Sequence, residues 1–359
     1  MKTTLAIGLM SGSSLDGLDL ALVRFHEEAG FSRYEILEAE TLPYPEVWRQ
    51  RLANAFLSRP EDLKPLDLEY GAFLGDCLRT FLQRHRIVPD FVASHGHTVF
   101  HRPEQRYTLQ IGDGQAIADH CGLLTVNDFR TEDVAKGGQG APLVPIGDRL
   151  LFGEYTLCLN IGGIANISYE CQGQRIAYDL CIANQALNWL AQREGYDYDP
   201  DGRLARSGSI DPVLMSELNS HPFFRQAPPK SLGREFFESC QRPLMERCNP
   251  ITALATFTEH IARQIADAVA NVPRGTLLVT GGGALNTFLI ERLRHHTPHQ
   301  VIVPDRQTVN YKEALIFAFL GLLRLEGKTN VLCSVTGAPT DSCSGKIWHP
   351  KTAIDNNLV

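Results

Sequence analysis

Residues 5–25 read LAIGLMSGSSLDGLDLALVRF. Residues 5–10 form an apolar run of the length of a buried strand, the segment SGSSLDG interrupts it with two glycines, and residues 18–25 are again apolar enough for a strand. Two strands joined by a short turn form a hairpin. The segment therefore predicts that the fold begins with a glycine-bearing β-hairpin.

The same arrangement recurs in the second half of the chain. Residues 156–161 are predicted as a strand, Gly162 and Gly163 as a turn, and residues 165–169 as the returning strand. The two hairpins suggest two related halves, although their sequences are too dissimilar to establish a repeat on their own.

Strands and helices alternate over the rest of the chain. Helical spacing of apolar residues is found at 66–85, 185–194, 251–269 and 313–325, and short apolar strands at 91–94, 175–179, 276–280 and 300–304. Asn184 is placed to cap the second of these helices, and residues 196–234, rich in Asp, Ser and Pro, are predicted to be irregular. The alternation indicates the α/β class, with the mixed sheets that two hairpins imply.

The length of 359 residues exceeds what one hydrophobic core usually serves, so two domains are expected. The polar, glycine-rich stretch 127–145 is predicted to cross between them. We place the boundary near residue 130, with an N-terminal domain 1–130, to which the C-terminal tail is able to return, and a C-terminal domain 131–359.

Composition and charge exclude several classes of protein. The net charge is −7 with no basic run, which argues against a nucleic-acid surface. No window approaches the roughly 18 apolar residues of a membrane span, and nine cysteines without a C-x-x-C pair suit reduced thiols. We therefore expect a soluble cytoplasmic protein whose partner is a small molecule.

Three glycine turns follow predicted buried strands: SGSSLDG, IGGIANIS and TGGGALN. Glycine has no Cβ, so the backbone N–H groups of such turns can approach a phosphate closely. Each turn alone is more simply a tight hairpin, whereas their joint occurrence favours nucleotide binding. The chain has no P-loop motif, because its nearest fragment, Ser344-Gly345-Lys346, is followed by Ile347.

Eight strings in order, GLMSGSSLDGLDLA, SHGHTVFHRP, LQIGDGQAIA, NDFR with GGQGAPLVP, LNIGGIANIS, PPKSLGREFF, VTGGGALN and SVTGAP, resemble the signature of anhydro-N-acetylmuramic acid kinases. The matches run from about residue 5 to about residue 340. That family is similar in fold to the actin, hexokinase and Hsp70 group. The resemblance implies an α/β protein with two ribonuclease-H-like domains, each a mixed sheet flanked by helices, around an interdomain nucleotide cleft.

The resemblance also implies the reaction, which uses ATP and Mg²⁺. Water adds at C1 of a 1,6-anhydro amino sugar from peptidoglycan recycling while the γ-phosphoryl group passes to O6, and the enzyme is expected to be a homodimer. The implied nucleotide-binding residues are Ser11, Gly12, Ser13, Ser14, Asp16, Gly17, Gly162, Gly163, Asn166, Gly281, Gly282, Gly283 and Asn286. The other implied residues are Asp179 as catalytic base, Thr98, Arg130 and Glu313 as sugar contacts, and Asp16 and Asp19 as direct or water-mediated supports for Mg²⁺.

Simpler roles remain open for several of these side chains. Asp179 could be a surface carboxylate at a strand end, Asp19 could only solvate the hairpin, and Arg130 could form a salt bridge at the domain junction. Glu313 also fits a helix N-terminus, where the dipole favours a negative charge. A kinase of another anhydro or amino sugar, and a non-catalytic ATP-binding regulator of the same fold, are the alternative functions.

The sequence departs from the family pattern at three places. Ser13 stands at the Thr position of SGTSxDG, which keeps a hydroxyl, and His97 stands where HGQT has an amide. After Asp179 the usual TGPGN is replaced by LCIAN, residues 180–184. The last change removes a glycine-rich backbone beside the expected base.

Two other enzyme classes deserve comparison. His95, His97 and His101 could indicate a metal-dependent hydrolase of the amidohydrolase type, but such enzymes need an eightfold strand–helix alternation that the sequence lacks. Residues 276–305 mimic a dinucleotide fingerprint, yet Asn286 replaces its third glycine. The kinase interpretation also explains the two upstream turns.

Overall fold

The computed structural model describes residues 2–12, 15–28 and 31–351. The chain forms two compact units: unit 1 comprises Met1–Leu151 and Tyr311–Val359, and unit 2 comprises Phe152–Asn310. No helix of the described residues is long and apolar enough to cross a bilayer.

The strands are β1 (Lys2–Ser11), β2 (Gly17–Glu28), β3 (Phe31–Pro43), β4 (Phe91–Ser94), β5 (His97–Arg102), β6 (Tyr107–Ile111), β7 (Thr125–Asn127), β8 (Leu157–Ile161), β9 (Ile164–Cys171), β10 (Gln174–Ile182), β11 (Thr276–Thr280), β12 (Gln300–Ile302) and β13 (Lys346–Trp348). The helices are α1 (Glu46–Asn54), α2 (Pro60–His85), α3 (Gly114–Cys121), α4 (Thr131–Ala135), α5 (Pro145–Leu151), α6 (Asn184–Gln192), α7 (Arg203–Ser207), α8 (Pro212–Asn219), α9 (Arg234–Phe236), α10 (Arg242–Met245), α11 (Pro250–Val269), α12 (Thr287–His296), α13 (Arg306–Leu325) and α14 (Cys333–Thr336).

Unit 1 is built on a six-stranded mixed sheet in the order β13-β7-β4-β1-β2-β3. The hairpin β1–β2 and the pair β2–β3 are antiparallel, whereas β4 pairs in parallel with β1 and β7 in parallel with β4. The core packs apolar residues of β1 and β2 against the long helix α2. The first predicted hairpin is thus the centre of this sheet.

Unit 2 repeats that plan in a five-stranded sheet ordered β10-β9-β8-β11-β12. Again three successive strands are antiparallel, and two later strands add in parallel beside the first of them. The order β3-β2-β1-β4-β7 of unit 1 corresponds to it strand for strand. The predicted α/β class with two related halves and mixed sheets is confirmed, and the interdomain nucleotide cleft stays a prediction.

The helix α11 shows how the sequence builds the core of unit 2. Asn249 caps it, because its side-chain oxygen accepts hydrogen bonds from the N–H groups of Ile251 and Thr252 at 3.0 and 3.4 Å. Apolar residues at helical spacing, among them Leu254, Phe257, Ile261, Ile265 and Val269, are all fully buried against the sheet. One face of the helix therefore seals one side of the sheet.

The division into units differs from the predicted boundary near residue 130. Residues 131–151 belong to unit 1, and the chain returns to that unit from Tyr311 onward rather than as a short tail. The physical reason is a set of long-range polar contacts. The buried carboxylate of Asp133 accepts a hydrogen bond from the hydroxyl of Thr336 at 2.8 Å, and the N–H of Gln139 donates to the carbonyl of Thr336 at 2.7 Å. These bonds hold α4 to the segment around α14.

Two local predictions also need correction. Asn184 does not cap α6: Ala183 holds the cap position, and the Asn184 amide donates instead to the carbonyl of Ile161 at 3.1 Å. The segment 196–234, predicted to be irregular, contains the short helices α7 and α8. Asp211 caps α8 by accepting from Val213 and Leu214, a cap signal that its Asp-Pro start could have supplied.

Candidate active site

The first glycine turn joins β1 to β2 in unit 1. Ser11 ends β1, Gly12 is half-buried, and Asp16 is exposed. Leu15 has φ of +58°, a left-handed conformation that side chains rarely adopt and that often marks functional turns. The predicted residues Ser13 and Ser14 lie outside the described residues.

Gly17 is required by strand packing, because a Cβ there would stand 2.5 Å from the carbonyl oxygen of Leu42. This glycine opens β2 and is paired with Pro43 of β3. Its role in the structure is therefore the start of the strand pairing, and a contact of Gly17 with nucleotide stays a prediction.

The hydroxyl of Ser11 is buried in a polar network. Tyr44 donates its hydroxyl hydrogen to Ser11 Oγ at 2.8 Å, the hydroxyls of Tyr44 and Tyr70 are 2.6 Å apart, and His97 Nδ1 lies 3.2 Å from Ser11 Oγ. Burial raises the pKa of Tyr44 to about 12 and lowers that of His97 to about 4, so both are neutral at pH 7. The network fixes the end of β1 from which the turn begins.

Two carboxylates flank this turn. Asp19 pairs with Met10 across the hairpin and accepts a hydrogen bond from the Thr41 hydroxyl at 2.6 Å. Burial raises the pKa of Asp19 to about 6; the Thr41 bond opposes this, and the charges of Asp16 and Glu313 add to it. The structure therefore places two other predicted site residues, Asp16 and Glu313, within electrostatic range of Asp19.

Arg130 is hydrogen-bonded to a histidine ring and to a backbone carbonyl. Its Nε and one terminal nitrogen lie 3.2 and 2.9 Å from His95 Nε2, and its other terminal nitrogen donates to the carbonyl of Gly140 at 3.0 Å. Because a guanidinium only donates, His95 Nε2 must be the acceptor and Nδ1 must carry the hydrogen that bonds the Gly96 carbonyl at 2.8 Å. This arrangement leaves two of the five N–H groups of Arg130 for another partner.

The charges around Arg130 suit an anion. Burial lowers the pKa of Arg130 to about 10, with Glu313 opposing the shift, so the guanidinium stays positive at pH 7. Burial, followed by the charge of Arg130, holds the pKa of His95 well below its ordinary value, so that ring is neutral. Thr98, another predicted sugar contact, is half-buried on β5 and accepts from the Gln110 amide at 3.3 Å.

The second glycine turn, between β8 and β9 of unit 2, has its carbonyls fastened to the start of α6. The N–H of Asn184 bonds the carbonyl of Gly162 at 3.0 Å, and the N–H groups of Ala183 and Gln185 bond that of Gly163 at 2.8 and 3.2 Å. Among the described residues, a Cβ at Gly162 or Gly163 would meet only ordinary contacts beyond 3.4 Å. Internal packing therefore does not demand glycine here, whereas close approach of a ligand would.

The third turn, which follows β11, packs closely against Asn160 and Ile161 at the end of β8, where the second turn begins. Gly281 has φ of +80°, and a Cβ there would stand 2.6 Å from Asn160 Oδ1. Gly283 packs on Ile161, where a Cβ would overlap the side chain. Asn160 joins the two turns and was not predicted, although a polar residue at the end of the buried strand LCLN is a signal that could have found it.

Two further residues shape the third turn. A Cβ at Gly282 would meet only the Asn184 amide at 3.5 Å, so its outer side is open. Asn286 caps α12, its side-chain oxygen accepting from the N–H of Leu289 at 3.0 Å. The Asn286 side-chain oxygen is engaged in this capping bond, so the predicted contact with adenosine would use the remaining hydrogen-bonding capacity of the side-chain amide.

Asp179 lies on β10, the edge strand of this sheet. It stands directly opposite Asn166 on β9, and Asn166 stands opposite Asn160 on β8, so three polar residues form one row across the strands. The Asp179 carboxylate is half-buried, and its Oδ2 accepts from the N–H of Leu232 at 2.8 Å. Burial raises the pKa of Asp179, and the Leu232 bond partly opposes the rise. A carboxylate with a raised pKa is suited to general-base work.

The unusual residues after Asp179 belong to the core. The strand continues through Leu180, Cys181 and Ile182 with a bulge after Asp179, and these three side chains are at most 2% exposed. Ala183 is also fully buried. A bulge changes the direction in which the preceding side chain points. The departure from the family pattern is therefore absorbed by apolar packing.

The two rival interpretations find little support. His95, His97 and His101 bond Arg130, Ser11 and Thr108 respectively, and the part of the chain that the structure describes contains no cluster of three metal-ligating side chains. The strands β11 and β12 are parallel with α12 between them, as in a dinucleotide fold, but three of the five strands of the sheet are an antiparallel meander. A doubly wound parallel sheet would not contain it.

The sequence comparisons identify one family. A family model described as anhydro-N-acetylmuramic acid kinase matches residues 4–350. Proteins of that name from Pasteurella multocida and Vibrio cholerae are 38% and 37% identical, covering 95% and 96% of this chain and 96% and 98% of their own length. Among solved structures, a ROK family glucokinase from Streptomyces griseus in complex with glucose and AMPPNP is 13% identical with a TM-score of 0.41, covering 88% of this chain and 98% of that one.

Proposed function

This chain belongs to the anhydro-N-acetylmuramic acid kinase family, and from that membership we propose its reaction. It opens the 1,6-anhydro bond of anhydro-N-acetylmuramic acid with water at C1 and transfers the γ-phosphoryl group of ATP to O6. The product is N-acetylmuramic acid 6-phosphate, formed during peptidoglycan recycling.

Asp179 carries this proposal. Its carboxylate accepts a single protein N–H, from Leu232, among the described residues, and is close enough to solvent to reach a water molecule. Its raised pKa makes it a stronger base than an exposed aspartate. It would take the proton of the water that attacks C1, while the breaking C1–O bond leaves O6 as the phosphoryl acceptor. General-base catalysis of this kind contributes about 10²- to 10⁴-fold in rate.

The glycine turns are suited to binding a nucleoside triphosphate. Among the described residues, a Cβ at Gly162 or Gly163 would meet nothing closer than 3.5 Å, so a phosphate oxygen could approach the backbone N–H groups there. We assign the phosphates to the turn of residues 11–17 and to Gly162, Gly163 and Asn166. The adenosine is assigned to residues 281–286.

The pair Asp16 and Asp19 fits a magnesium ion held mostly through water. Carboxylate oxygens are the ligands Mg²⁺ prefers, and it normally retains several waters. The like charges that help raise the pKa of Asp19 would be relieved by a cation. Bound there, Mg²⁺ would neutralise negative charge on the phosphates, and the two carboxylates would orient its water shell.

Arg130 is suited to the lactyl carboxylate of the muramic sugar. Two of its N–H groups are uncommitted in the bonding described above, and its plane is fixed by His95 and Gly140. A fixed guanidinium binds carboxylates with strong, charge-assisted bonds. We assign Thr98 and Glu313 to sugar hydroxyls. We also propose a cytoplasmic location and a homodimer, and light scattering of the purified protein tests the dimer.

Replacing Asp179 by Asn tests the assignment of the base. We expect phosphorylation of anhydro-N-acetylmuramic acid to fall at least about 100-fold, while calorimetric ATP affinity stays within twofold. Asp267→Asn, which removes an exposed carboxylate on α11 of the same unit, is the matched control and should keep full activity. Unchanged turnover in the Asp179 variant would remove this residue from the mechanism.

A further inference from the structure

The segment 230–232 is hydrogen-bonded to the outer edge of β10 at Asp179. The N–H of Asp179 donates to the carbonyl of Lys230 at 3.1 Å, and the N–H of Leu232 donates to Asp179 Oδ2 at 2.8 Å. One short segment therefore fixes both the backbone and the carboxylate of Asp179. A change in its position would move the carboxylate directly.

The side chain of Lys230 anchors this segment. Its ammonium donates to the carbonyl of Phe223 at 3.2 Å and stands 4.6 Å from the centre of the Phe223 ring and 5.9 Å from that of Tyr178. A cation over aromatic faces at these distances is attracted by their electrons. Tyr178 directly precedes Asp179, so Lys230 contacts both the strand β10 and the segment around Phe223. Burial lowers the pKa of Lys230.

We propose that Lys230 is a positioning residue for the reaction: its anchoring keeps the Leu232 N–H on Asp179 Oδ2 and leaves Oδ1 as the oxygen that takes the proton from water. The inference rests on the proposed function of Asp179. An N–H bond to one carboxylate oxygen reduces the basicity of that oxygen and fixes the rotation of the group. No step of bond making or breaking is assigned to Lys230 itself.

The neighbouring titratable group is Cys181, two residues further along β10. Burial raises the pKa of this thiol, so it is neutral at pH 7, and its interaction with Asp179 is that of an uncharged neighbour. The pKa of Asp179 is thus set by burial, which raises it, and by the hydrogen bond from Leu232, which lowers it. Loss of that bond raises the pKa of Asp179 and moves the acidic limb of the activity profile to higher pH.

The test compares Lys230→Met, which keeps a long apolar stem, with Lys230→Arg, which keeps the charge. We expect Lys230→Met to lower kcat about 10- to 100-fold with both KM values within twofold, and to shift the acidic limb of kcat to higher pH. Lys230→Arg should keep most of the wild-type kcat and most of the wild-type position of the acidic limb. Arg225→Met, which removes an exposed cation from the same region, is the control and should leave kcat and the limb in place.

A second readout needs no substrate. With ¹³C-carboxyl aspartate in the full-length protein, the Asp179 signal is identified by its loss in Asp179→Asn, and its titration is followed in wild type and Lys230→Met. We expect a higher midpoint in Lys230→Met. An unchanged midpoint and an unchanged kcat limb would overturn the inference, even if the wild type is an active kinase. If the wild type shows no kinase activity but the Asp179 midpoint is still higher in Lys230→Met, the proposed function is refuted, whereas the positioning of the Asp179 carboxylate by Lys230 is supported.

Discussion

Exchanging glycine for alanine at two positions separates the structural from the ligand-binding role of the glycine turns. Gly281 has φ of 80° and ψ of 167°, a conformation almost restricted to glycine that costs an L-residue about 1 to 3 kcal/mol. A Cβ there would also stand 2.6 Å from Asn160 Oδ1 and 2.8 Å from the carbonyl oxygen of Ile161, and overpacking of this kind adds about 1 to 3 kcal/mol. Since each kcal/mol shifts the Tm of a unit of this size by about 2 to 4 °C, Gly281→Ala should lower the Tm by about 5 °C or more.

Gly163→Ala should behave in the opposite way. Its φ lies outside the left-handed range, and its Cβ would meet only Gln185 Cβ at 3.8 Å, an ordinary contact. The free energy of unfolding should therefore change by less than about 0.5 kcal/mol. The added methyl group fills the space assigned to phosphate, so we expect the KM for ATP to rise at least about tenfold, the equivalent of about 1.4 kcal/mol of binding.

Differential scanning calorimetry and steady-state kinetics on the two variants measure both effects. A Gly163→Ala enzyme with unchanged KM for ATP would refute the phosphate assignment of the second turn. A Gly281→Ala protein with unchanged Tm would refute the close fit between the second and third turns.

Two other substitutions test the charges described above. Arg130→Met should raise KM for anhydro-N-acetylmuramic acid about 10- to 100-fold, as expected for a charge-assisted bond, and have much less effect on an anhydro-N-acetylglucosamine, which has no lactyl carboxylate; equal effects on both sugars would contradict the assignment. Glu259 is 2% exposed, and although burial acts to raise its pKa, the hydrogen bonds it accepts from Arg292, Arg263 and His296 outweigh burial and lower the pKa to about 2. Its depressed pKa means that its stabilisation is full above the ordinary range of a glutamate and is lost as the pH falls toward 2. Glu259→Gln should therefore lower the Tm at pH 7 more than at pH 3, and a Tm loss independent of pH would argue against the charge cluster.

The hairpins and the glycine turns could be predicted from the sequence because their signals are local. Apolar runs of strand length bounded by glycines define β1, β2, β8 and β9, and the structure places them at the centres of the two sheets. The strand β3 carries no such signal, because the glutamates in YEILEAE interrupt any apolar run. It is stabilised by pairing with β2, which the sequence does not report.

The boundary of the units and several site partners could not be predicted, because they depend on contacts between distant residues. Thr336 reaches Asp133 across 203 positions, and Ser11 meets His97 across 86. The same holds for Leu232, which bonds Asp179 across 53 positions. Family resemblance supplied the predicted reacting groups, whereas the bonds that set their orientation and pKa depend on the fold.

The most direct test of the proposed reaction is sugar-dependent ADP release by the full-length protein with Mg²⁺. Anhydro-N-acetylmuramic acid, N-acetylmuramic acid and plain anhydrosugars are compared, each with and without the metal. We expect release to be fastest with anhydro-N-acetylmuramic acid, to require Mg²⁺, and to give a product heavier than the sugar by one phosphoryl group and one water. ATP binding without ADP release on any sugar would contradict the kinase and favour a regulatory ATP-binding protein of the same fold.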